Sequence, residues 1–457
     1  MMSKVNFVIL AAGKGTRMRS ALPKVLHKLS GRSMLGHVVA AVESLGEAKK
    51  IIVTGHGAQQ VEQQFKSPTT IFTQQKEQLG TGHAVQMAIP KLCRDAVVIV
   101  LYGDVPLIRP ATIKKVLGVV TESTMGLLTI HLEEPQGYGR IVRDTNGDIT
   151  EIVEQKDASD EQLQITEVNT GVLALRASQL SEWLPKINNN NAQGEYYLTD
   201  LVAIARAANV EVISVNPESA TEVEGVNNRA QLSQLERAHQ RQLAELLMES
   251  GTSLADPSRF DQRGELTAGT DNFIDINCIF EGHVTIGNDV SIGANCHISN
   301  STIGDGVSIL PNTIIESSVV GDRAVVGPFA RLRPGTEMES DTKVGNFVET
   351  KKALVGKGSK INHLSYVGDA QLGQNVNVGA GTITCNYDGV SKHKTDLGDG
   401  VFVGSNSTLV APIKVHSGGF IAAGSTVTSE VPSESLAVAR AKQRNIKGWK
   451  RPSKKEV

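Results

Sequence analysis

The sequence predicts two domains, an α/β domain with a mostly parallel sheet followed by a parallel β-helix. Three observations lead to this prediction. The chain has 457 residues, which exceeds the roughly 250 to 300 residues at which one hydrophobic core usually stops growing. Its first half alternates short β-branched segments with longer amphipathic ones. Its second half repeats an aliphatic residue at every sixth position.

Composition and charge exclude several classes of function. The chain carries 46 basic and 48 acidic side chains, without the basic excess that binding to nucleic acid requires. Its four cysteines are scattered and form no C-x-x-C pair, which favours reduced thiols over a disulfide framework or zinc. No segment approaches the roughly 18 apolar residues of a membrane span, and the N-terminal apolar segment suits a buried strand better than a signal peptide. We expect a soluble, cytoplasmic protein without a membrane or nucleic-acid partner.

Three segments of the first half predict the strands of the parallel sheet. They run from Val5 to Leu10, from Ile51 to Thr54 and from Val97 to Tyr102, and each is compact and rich in β-branched residues. The longer amphipathic segments between them predict helices that cover the sheet.

A change in composition predicts a helix between the two domains. The segment from Ala230 to about Met248 is rich in helix formers, with leucines at helical spacing. We therefore assign residues 1–229 to the first domain, 230–250 to a helical linker and 251–457 to the second domain. Alternatively, this helix is simply the last one of the first domain.

The repeats beyond residue 252 predict the coils of the β-helix. Hexapeptides such as I-G-N-D-V-S, I-G-D-G-V-S and L-G-D-G-V-F recur in phase. In each, the aliphatic residue points inward and the small residue after it permits a tight corner, so that three such walls close one coil. Cys278 and Cys296 lie one coil of 18 residues apart. We expect them to stack in the core about 4.8 Å apart, as small apolar residues rather than metal ligands.

The loop after the first strand predicts a polyphosphate site. In L-A-A-G-K-G-T-R-M, Gly13 and Gly15 let backbone N–H groups approach an anion. Lys14 and Arg17, with Lys24 of the following L-P-K, supply positive charge. The loop is neither a Walker A sequence nor a complete dinucleotide fingerprint, which weakens the case for an ordinary kinase or dehydrogenase.

An acidic residue after the third predicted strand suggests a magnesium site. Asp104 in Y-G-D-V-P-L lies at the carboxyl end of that strand, where open α/β sheets bind ligands. Magnesium prefers oxygen ligands and keeps substrate phosphates in its shell. Asn227 in E-V-E-G-V-N-N-R is a candidate for a second, amide ligand, although by itself such an asparagine is equally typical of a turn.

Seven segments, in order, resemble one enzyme family over nearly the whole chain. L-A-A-G-K-G-T-R-M with L-P-K, Q-L-G-T-G-H-A, Y-G-D-V-P-L, G-Y-G-R-I, N-T-G, N-N-N-A-Q-G-E-Y-Y-L-T-D and E-V-E-G-V-N-N-R are similar to the bacterial bifunctional N-acetylglucosamine-1-phosphate uridylyltransferases and glucosamine-1-phosphate acetyltransferases. The resemblance implies a Rossmann-like nucleotidyltransferase domain, then a left-handed parallel β-helix, in a homotrimer. It also implies synthesis of UDP-N-acetylglucosamine, a precursor of peptidoglycan and lipopolysaccharide.

The resemblance implies a uridylyl-transfer site in the first domain, with UTP and N-acetylglucosamine-1-phosphate as substrates. Magnesium would be held by Asp104 and Asn227, and Lys24 would act on phosphate. Gly139 by itself is also typical of a turn, and Glu154 of a solvated loop. The residues implied to bind UTP or the product are Leu10, Ala11, Ala12, Gly13, Arg17, Lys24, Gln75, Gly80, Thr81, Tyr102, Gly103, Asp104, Gly139, Glu154, Asn169 and Asn227.

The resemblance implies an acetyl-transfer site in the second domain, with acetyl-CoA as donor. An amine must lose a proton to attack a thioester, and His363, at the family's general-base position, suits this task near neutral pH. The Ala380 N–H would stabilise the oxyanion. Glucosamine-1-phosphate would be held by Arg333, Lys351, Tyr366 and Asn377. Acetyl-CoA would be held by Ala380, Asn386, Tyr387, Ser405, Ala423 and Arg440.

Two alternatives concern the repeat domain. In the first, it is only an oligomerisation or regulatory module on a sugar-nucleotide pyrophosphorylase, which predicts no dependence on acetyl-CoA. In the second, it is a zinc enzyme resembling the β-helical carbonic anhydrases, which requires several converging histidines. The histidines of the repeats show no evident ligand pattern; they are His283, His297, His363, His393 and His416.

Overall fold

The computed structural model describes residues 4–46 and 49–452. The chain divides into two compact units, Met1–His239 and Gln240–Val457. The predicted helix near the division is found as Arg229–Glu249 and extends from one unit into the other. Among the described residues, no helix is both long and apolar enough to cross a membrane.

The first unit is built on a sheet of nine strands. Strands β1 to β11 of this unit, in chain order, are Val5–Ala11, Lys28–Leu29, Arg32–Ser33, Lys49–Thr54, Thr70–Gln74, Val97–Tyr102, Thr124–His131, Arg140–Arg143, Ile149–Val153, Glu167–Arg176 and Glu211–Val215. Helices α1 to α8 are Met34–Glu43, Ala58–Phe65, Thr81–Gln86, Pro110–Gly118, Asp160–Leu163, Ala177–Trp183, Leu201–Ala207 and Arg229–Glu249. Short 3-10 turns are Thr16–Met18, Lys24–Leu26, Ile89–Lys91, Leu184–Lys186, Leu198–Asp200 and Ala220–Val223, with Pro257–Arg259 in the second unit.

The order of strands in the sheet is β11–β7–β10–β6–β1–β4–β5, with β8 and β9 beside β10. Strands β6, β1, β4 and β5 are parallel, as predicted, whereas β10 runs antiparallel to both β6 and β7. The central strands are apolar on both faces, and Val8, Ile9, Val98 and Ile99 are fully buried. This burial is why their sequences are continuous apolar runs rather than alternating ones.

The carboxyl ends of the parallel strands meet at one edge of the sheet. There the N–H of Gly103 donates to the carbonyl of Leu10 (2.9 Å), and the N–H of Gln75 donates to the carbonyl of Thr54 (2.8 Å). The loops after β1, β4, β5 and β6 are therefore fixed side by side, where α/β sheets bind their ligands.

The second unit is a stack of short parallel strands. These strands, β12 to β37, are Thr252–Leu254, Phe260–Ala268, Asn272–Ile274, Cys278–Ile286, Ser291–Ile292, His297–Ser299, Thr302–Ile303, Ser308–Ile309, Ile314–Glu316, Val319–Val320, Val325–Val326, Arg331–Leu332, Glu337–Met338, Lys343–Asn346, Glu349–Val355, Lys360–His363, Tyr366–Leu372, Asn377–Val378, Ile383–Cys385, Thr395–Leu397, Phe402–Val403, Thr408–Val410, Ile413–Val415, Phe420–Ile421, Thr426–Val427 and Leu436–Ala437. The repeated aliphatic residues face inward in register: Ile292 pairs with Ile309, Ile309 with Val326 and Val326 with Val344. All four are buried. The predicted left-handed parallel β-helix is confirmed.

Cys278 and Cys296 are buried neighbours in this stack, as expected. Each is 1% exposed, and both are free thiols. The pKa of the Cys278 thiol is raised, first by its hydrogen bond to Cys296 and then by burial. Both residues therefore belong to the hydrophobic core.

The second half of α8 covers the first coils of the β-helix. Ala244 and Leu247 are buried in the same core as Phe260. The buried side chain of Gln240 pairs with the backbone of Gln262: its Nε2 donates to the Gln262 carbonyl and its Oε1 accepts from the Gln262 N–H, both at 2.8 Å. The side-chain amide of Gln240 thus makes the two backbone hydrogen bonds that a neighbouring strand would otherwise make with Gln262.

Candidate active sites

A cavity of about 220 Å³ lies at the carboxyl edge of the sheet in the first unit. Its walls come from the loops after β1, β5 and β6, together with the start of α3. Many of the residues predicted to bind UTP line it: Leu10, Ala11, Ala12, Gly13, Lys24, Gln75, Gly80, Thr81, Tyr102 and Asp104. Gly103 follows Tyr102 and is held against β1 by its hydrogen bond to Leu10. The structure therefore brings distant motifs of the sequence to one place.

The two predicted metal ligands converge on one point of this unit. The Lys24 ammonium forms an ion pair with Asp104 and lies 3.4 Å from Asn227 Oδ1. Arg17 Nη2 donates to the same amide oxygen (2.8 Å), and the Val226 N–H donates to the carbonyl of Asp104 (2.9 Å). A carboxylate oxygen and an amide oxygen thus face a common cation, which in this structure is an ammonium group. This pair of oxygen donors fits magnesium.

Backbone groups and a buried amide form the far wall of the cavity. Gln75 is 3% exposed, and its Nε2 donates to the Gly80 carbonyl (3.0 Å). Gly80 has a φ of +108°, and a Cβ there would lie 2.6 Å from the Tyr196 carbonyl oxygen. Thr81 Oγ1 accepts from the Leu198 N–H (3.1 Å). This wall is rigid and mostly uncharged, which suits a nucleobase recognised through hydrogen bonds.

The three residues predicted to hold the sugar also lie together. The Asn169 N–H donates to the Gly139 carbonyl (2.9 Å), and a Cβ on Gly139 would lie 3.5 Å from Glu154 Oε1. That carboxylate accepts from Thr199 Oγ1 (3.1 Å), and burial raises its pKa. Glu154 is therefore partly buried and hydrogen-bonded, with Gly139 directly beside it.

Two residues of this region carried no predicted role. Gly171, in the N-T-G segment, has a φ of +90°, and a Cβ there would lie 2.5 Å from the ring of Tyr102. Arg140 is 2% exposed, and its Nη2 donates to Gln155 Oε1 (2.9 Å). Both lie in motifs with a family resemblance, but only the folded structure shows which groups they contact.

In the second unit, His363 has a fixed orientation. It lies opposite Asn346 in adjacent parallel strands, and its Nδ1 is 2.5 Å from Asn346 Oδ1. An amide oxygen accepts only, so this contact assigns the proton of the neutral imidazole to Nδ1. The lone pair of Nε2 is then available to accept a proton.

Three cations of the second unit lie close to one another. Arg333 Nη1 pairs with Glu349 Oε1 (2.8 Å), and Tyr366 lies opposite Glu349 in the next coil. A hydrogen bond with Lys392 lowers the pKa of Lys351, and the charge of Arg333 contributes to the lowering. Arg333, Lys351 and Lys392 thus form a group of cations suited to a phosphate. The sequence did not single out Lys392, because a lysine in a loop is usually only solvated.

The residues predicted to hold acetyl-CoA lie along one corner of the coils and on a hairpin. A Cβ on Gly379 would lie 2.6 Å from the Ser405 N, so that successive corners are in close contact. The Ala380 carbonyl accepts from the Asn406 N–H (2.7 Å). Ala423 is exposed at the next corner. Of the predicted acceptor-binding residues, Asn377 lies in register with Lys360 and Phe402.

The hairpin carries two more predicted donor-binding residues. Asn386 is buried, and its side-chain amide donates a hydrogen bond to Asp369. Tyr387 is exposed, and its backbone forms an isolated β-bridge with Lys392. Arg440, in contrast, is exposed and follows the last strand, Leu436–Ala437. Ala439, which precedes Arg440, accepts from the Thr426 N–H (3.0 Å), three residues beyond Ala423.

Among the described residues, no group of three or more His, Cys, Asp and Glu side chains could hold a metal ion.

Family models match parts of both units. Residues 7–141 match the family of the MobA-like NTP transferase domain, and residues 263–338 match the GMPPB C-terminal domain.

Relatives match the chain from end to end. It is 59% identical to the bifunctional protein GlmU of Marinobacter nauticus, over 99% of this chain and 100% of that protein. It is 55% identical to that of Cellvibrio japonicus, over 99% and 100%, and 53% identical to that of Pseudomonas putida, over 98% and 99%. This chain belongs to the bifunctional GlmU family.

Proposed function

We propose that the two units catalyse consecutive reactions of UDP-N-acetylglucosamine synthesis. The second unit transfers an acetyl group from acetyl-CoA to the amine of glucosamine-1-phosphate. The first unit then transfers a uridylyl group from UTP to N-acetylglucosamine-1-phosphate and releases pyrophosphate. The observation that most supports this assignment is that one chain holds two differently built sites, one at a sheet edge and one on a β-helix.

In the first unit, catalysis rests on positioning and charge neutralisation. The uracil binds against Gln75, Gly80 and Thr81, and the sugar against Gly139, Glu154 and Asn169. Lys24 and Arg17 contact the phosphates. An oxygen of the sugar phosphate forms a bond to the α-phosphorus of UTP, and the bond from that phosphorus to the oxygen bridging to the β-phosphorus breaks.

Magnesium is the metal that we propose for this reaction. Asp104 and Asn227 would hold it, since their oxygens already face a common cation. When bound, it neutralises negative charge on the phosphates. The Lys24 ammonium contributes a second positive charge beside it.

In the second unit, His363 Nε2 accepts a proton from the amine, and the nitrogen forms a bond to the thioester carbon. The Ala380 N–H stabilises the oxyanion. The carbon–sulfur bond breaks, and coenzyme A leaves as a thiolate that takes up the proton held by His363. Arg333, Lys351 and Lys392 bind the sugar phosphate. Tyr366 and Asn377 hold the sugar, and the donor is held by Asn386, Tyr387, Ser405, Ala423 and Arg440.

A cytoplasmic homotrimer is the assembly that we propose. The second unit exposes large apolar side chains in close stacks: Phe329 and Phe347 are 50% and 56% exposed, with ring centroids 5.4 Å apart. Phe402 and Phe420 stack at 4.4 Å. Apolar patches of this kind usually mark contacts between proteins.

Replacing Gly171 with alanine is expected to impair uridylyl transfer. The new Cβ would collide with the Tyr102 ring, which lines the cavity, and the positive φ disfavours any side chain. We expect kcat/KM for uridylyl transfer to fall by about a hundredfold, with acetyl transfer unchanged. Gly118→Ala is a matched control, because a Cβ there meets nothing within 4 Å. Equal activity of the two variants would contradict the proposed packing.

The function is tested with the purified protein, magnesium, UTP, acetyl-CoA and glucosamine-1-phosphate. Free thiol and pyrophosphate are followed together, and both are expected. If no thiol appears while N-acetylglucosamine-1-phosphate still yields pyrophosphate, the β-helix is a scaffold rather than an acetyltransferase. A chelator should stop pyrophosphate release but not thiol release.

A further inference from the structure

One buried positive charge of the first unit has no role in the proposed reaction. Arg140, the first residue of β8, is 2% exposed, and its guanidinium stays charged at neutral pH. Within residues 4–46 and 49–452 it forms no ion pair with a carboxylate. It donates instead to two neutral oxygens, the Tyr138 carbonyl and Gln155 Oε1 (2.9 Å). Burying a charge without an opposite charge is costly, and such departures from stable packing are expected where function requires them.

Both accepting oxygens are connected to one loop. Residues 137–139, which we call the sugar loop, lie between the turn at Pro135 and the start of β8. Arg140 Nη1 holds the Tyr138 carbonyl, and Gln155 Oε1 accepts both from Arg140 and from the Gly137 N–H (3.1 Å). Gly137 has a φ of +89°, a left-handed conformation that glycine adopts without steric cost. One guanidinium and one side-chain amide thus hold the sugar loop at two successive residues.

The sugar loop lies in close contact with the proposed sugar site. Its last residue, Gly139, is buried, and its carbonyl accepts from the Asn169 N–H (2.9 Å). A Cβ on Gly139 would lie 2.9 Å from Ile152 Cγ2, so the loop has almost no free space on that side. Gln155 directly follows Glu154, so a single stretch of backbone carries the carboxylate of the sugar site and the amide that holds the loop. A shift of the loop would therefore move Gly139 away from both Asn169 and Glu154.

We propose that Arg140 and Gln155 are positioning residues for the acceptor, N-acetylglucosamine-1-phosphate. Their shared hydrogen bonds hold the sugar loop in the geometry that binds this substrate. Arg140 is buried and acts through the loop rather than by contact with the substrate. Binding of UTP does not depend on the pair, because the residues proposed to bind uracil belong to other loops; they are Gln75, Gly80 and Thr81. This assignment rests on the proposed uridylyl transfer.

The test compares the KM values of the two substrates of uridylyl transfer. Gln155→Leu keeps the approximate size of the side chain but accepts no hydrogen bond. We expect the KM for N-acetylglucosamine-1-phosphate to rise by about tenfold, because the Gly137 N–H and Arg140 lose their shared acceptor. The KM for UTP is expected to stay within about twofold. Gln155→Glu, which accepts from both groups, should restore the KM for the acceptor. Gln164→Leu, the same exchange at an exposed glutamine after α5, is the matched control.

Each outcome supports the proposal or contradicts it. An unchanged KM for N-acetylglucosamine-1-phosphate in Gln155→Leu would show that the sugar loop does not depend on this amide. If the two KM values rise equally, or if Gln155→Glu does not restore the first, Gln155 only stabilises the domain and the proposal is wrong. Gln155→Ala removes the same acceptor and leaves room for water, so it replaces the leucine variant should that chain not fold. If the wild type itself releases no pyrophosphate from UTP, the proposed uridylyl transfer fails, and the assignment of the two positioning residues fails with it.

Discussion

Replacing Asp104 with alanine is expected to abolish uridylyl transfer and leave acetyl transfer intact. Asp104 is the only carboxylate in the proposed magnesium pair, and its loss would leave Asn227 as the sole protein ligand. We expect kcat for uridylyl transfer to fall on the order of a thousandfold. Thiol release from acetyl-CoA reports the second unit in the same sample, so a selective loss would show that the chain is still folded there.

The controls separate the metal from the ion pair. Asp104→Ala also removes the partner of Lys24, so Asp104→Asn, which keeps an oxygen at this position, is measured beside it with a range of magnesium concentrations. Asp95→Ala, at an exposed aspartate before β6, is the matched control. Normal uridylyl transfer by Asp104→Ala at low magnesium would remove Asp104 from the metal site.

Replacing His363 with alanine is expected to have the opposite effect. Acetyl transfer loses its base, and we expect kcat to fall by roughly a hundredfold to ten-thousandfold. Uridylyl transfer from N-acetylglucosamine-1-phosphate should be unchanged, because the first unit does not contain His363. Supplying that intermediate directly should therefore restore pyrophosphate release.

A variant of the neighbouring amide tests the role of His363 more closely. Asn346→Ala removes the acceptor at Nδ1, so the imidazole loses its fixed tautomer and orientation. We expect a lower kcat with little change in the KM for either substrate. His283→Ala, at an exposed histidine in an earlier coil, should behave as wild type. Acetyl transfer at the normal rate in His363→Ala would assign the base to another group.

The coils of the β-helix could be predicted because their signal is periodic and local. Each wall needs an inward aliphatic residue at a fixed spacing, as at Ile292 and Ile309, so the sequence repeats wherever the structure does. The antiparallel strand Glu167–Arg176 in the first unit has no such signal. Its apolar residues are buried whichever way it runs, and its direction depends on long-range pairing that spacing alone does not reveal.

The candidate sites were predictable only in part. Asp104 follows a recognisable strand, but Asn227 lies far along the chain, and the resemblance to a family was needed to join the two. Lys392 and Arg140 were missed for opposite reasons. A loop lysine is usually solvated, and a buried arginine is recognised only when its partner, in this case Gln155, is known.

The helix Arg229–Glu249 has a consequence for the solution behaviour of the chain. A stack of parallel coils ends in an open row of backbone donors and acceptors, and such a row is a template for joining another copy end to end. The side chain of Gln240 binds the backbone N–H and carbonyl of Gln262 in this row. Leu247 packs on the apolar interior of the coils. A chain shortened to begin after Glu249 would lose both, and the natural expectation is growth into filaments. We therefore expect the helix to limit polymerisation as well as to connect the two units.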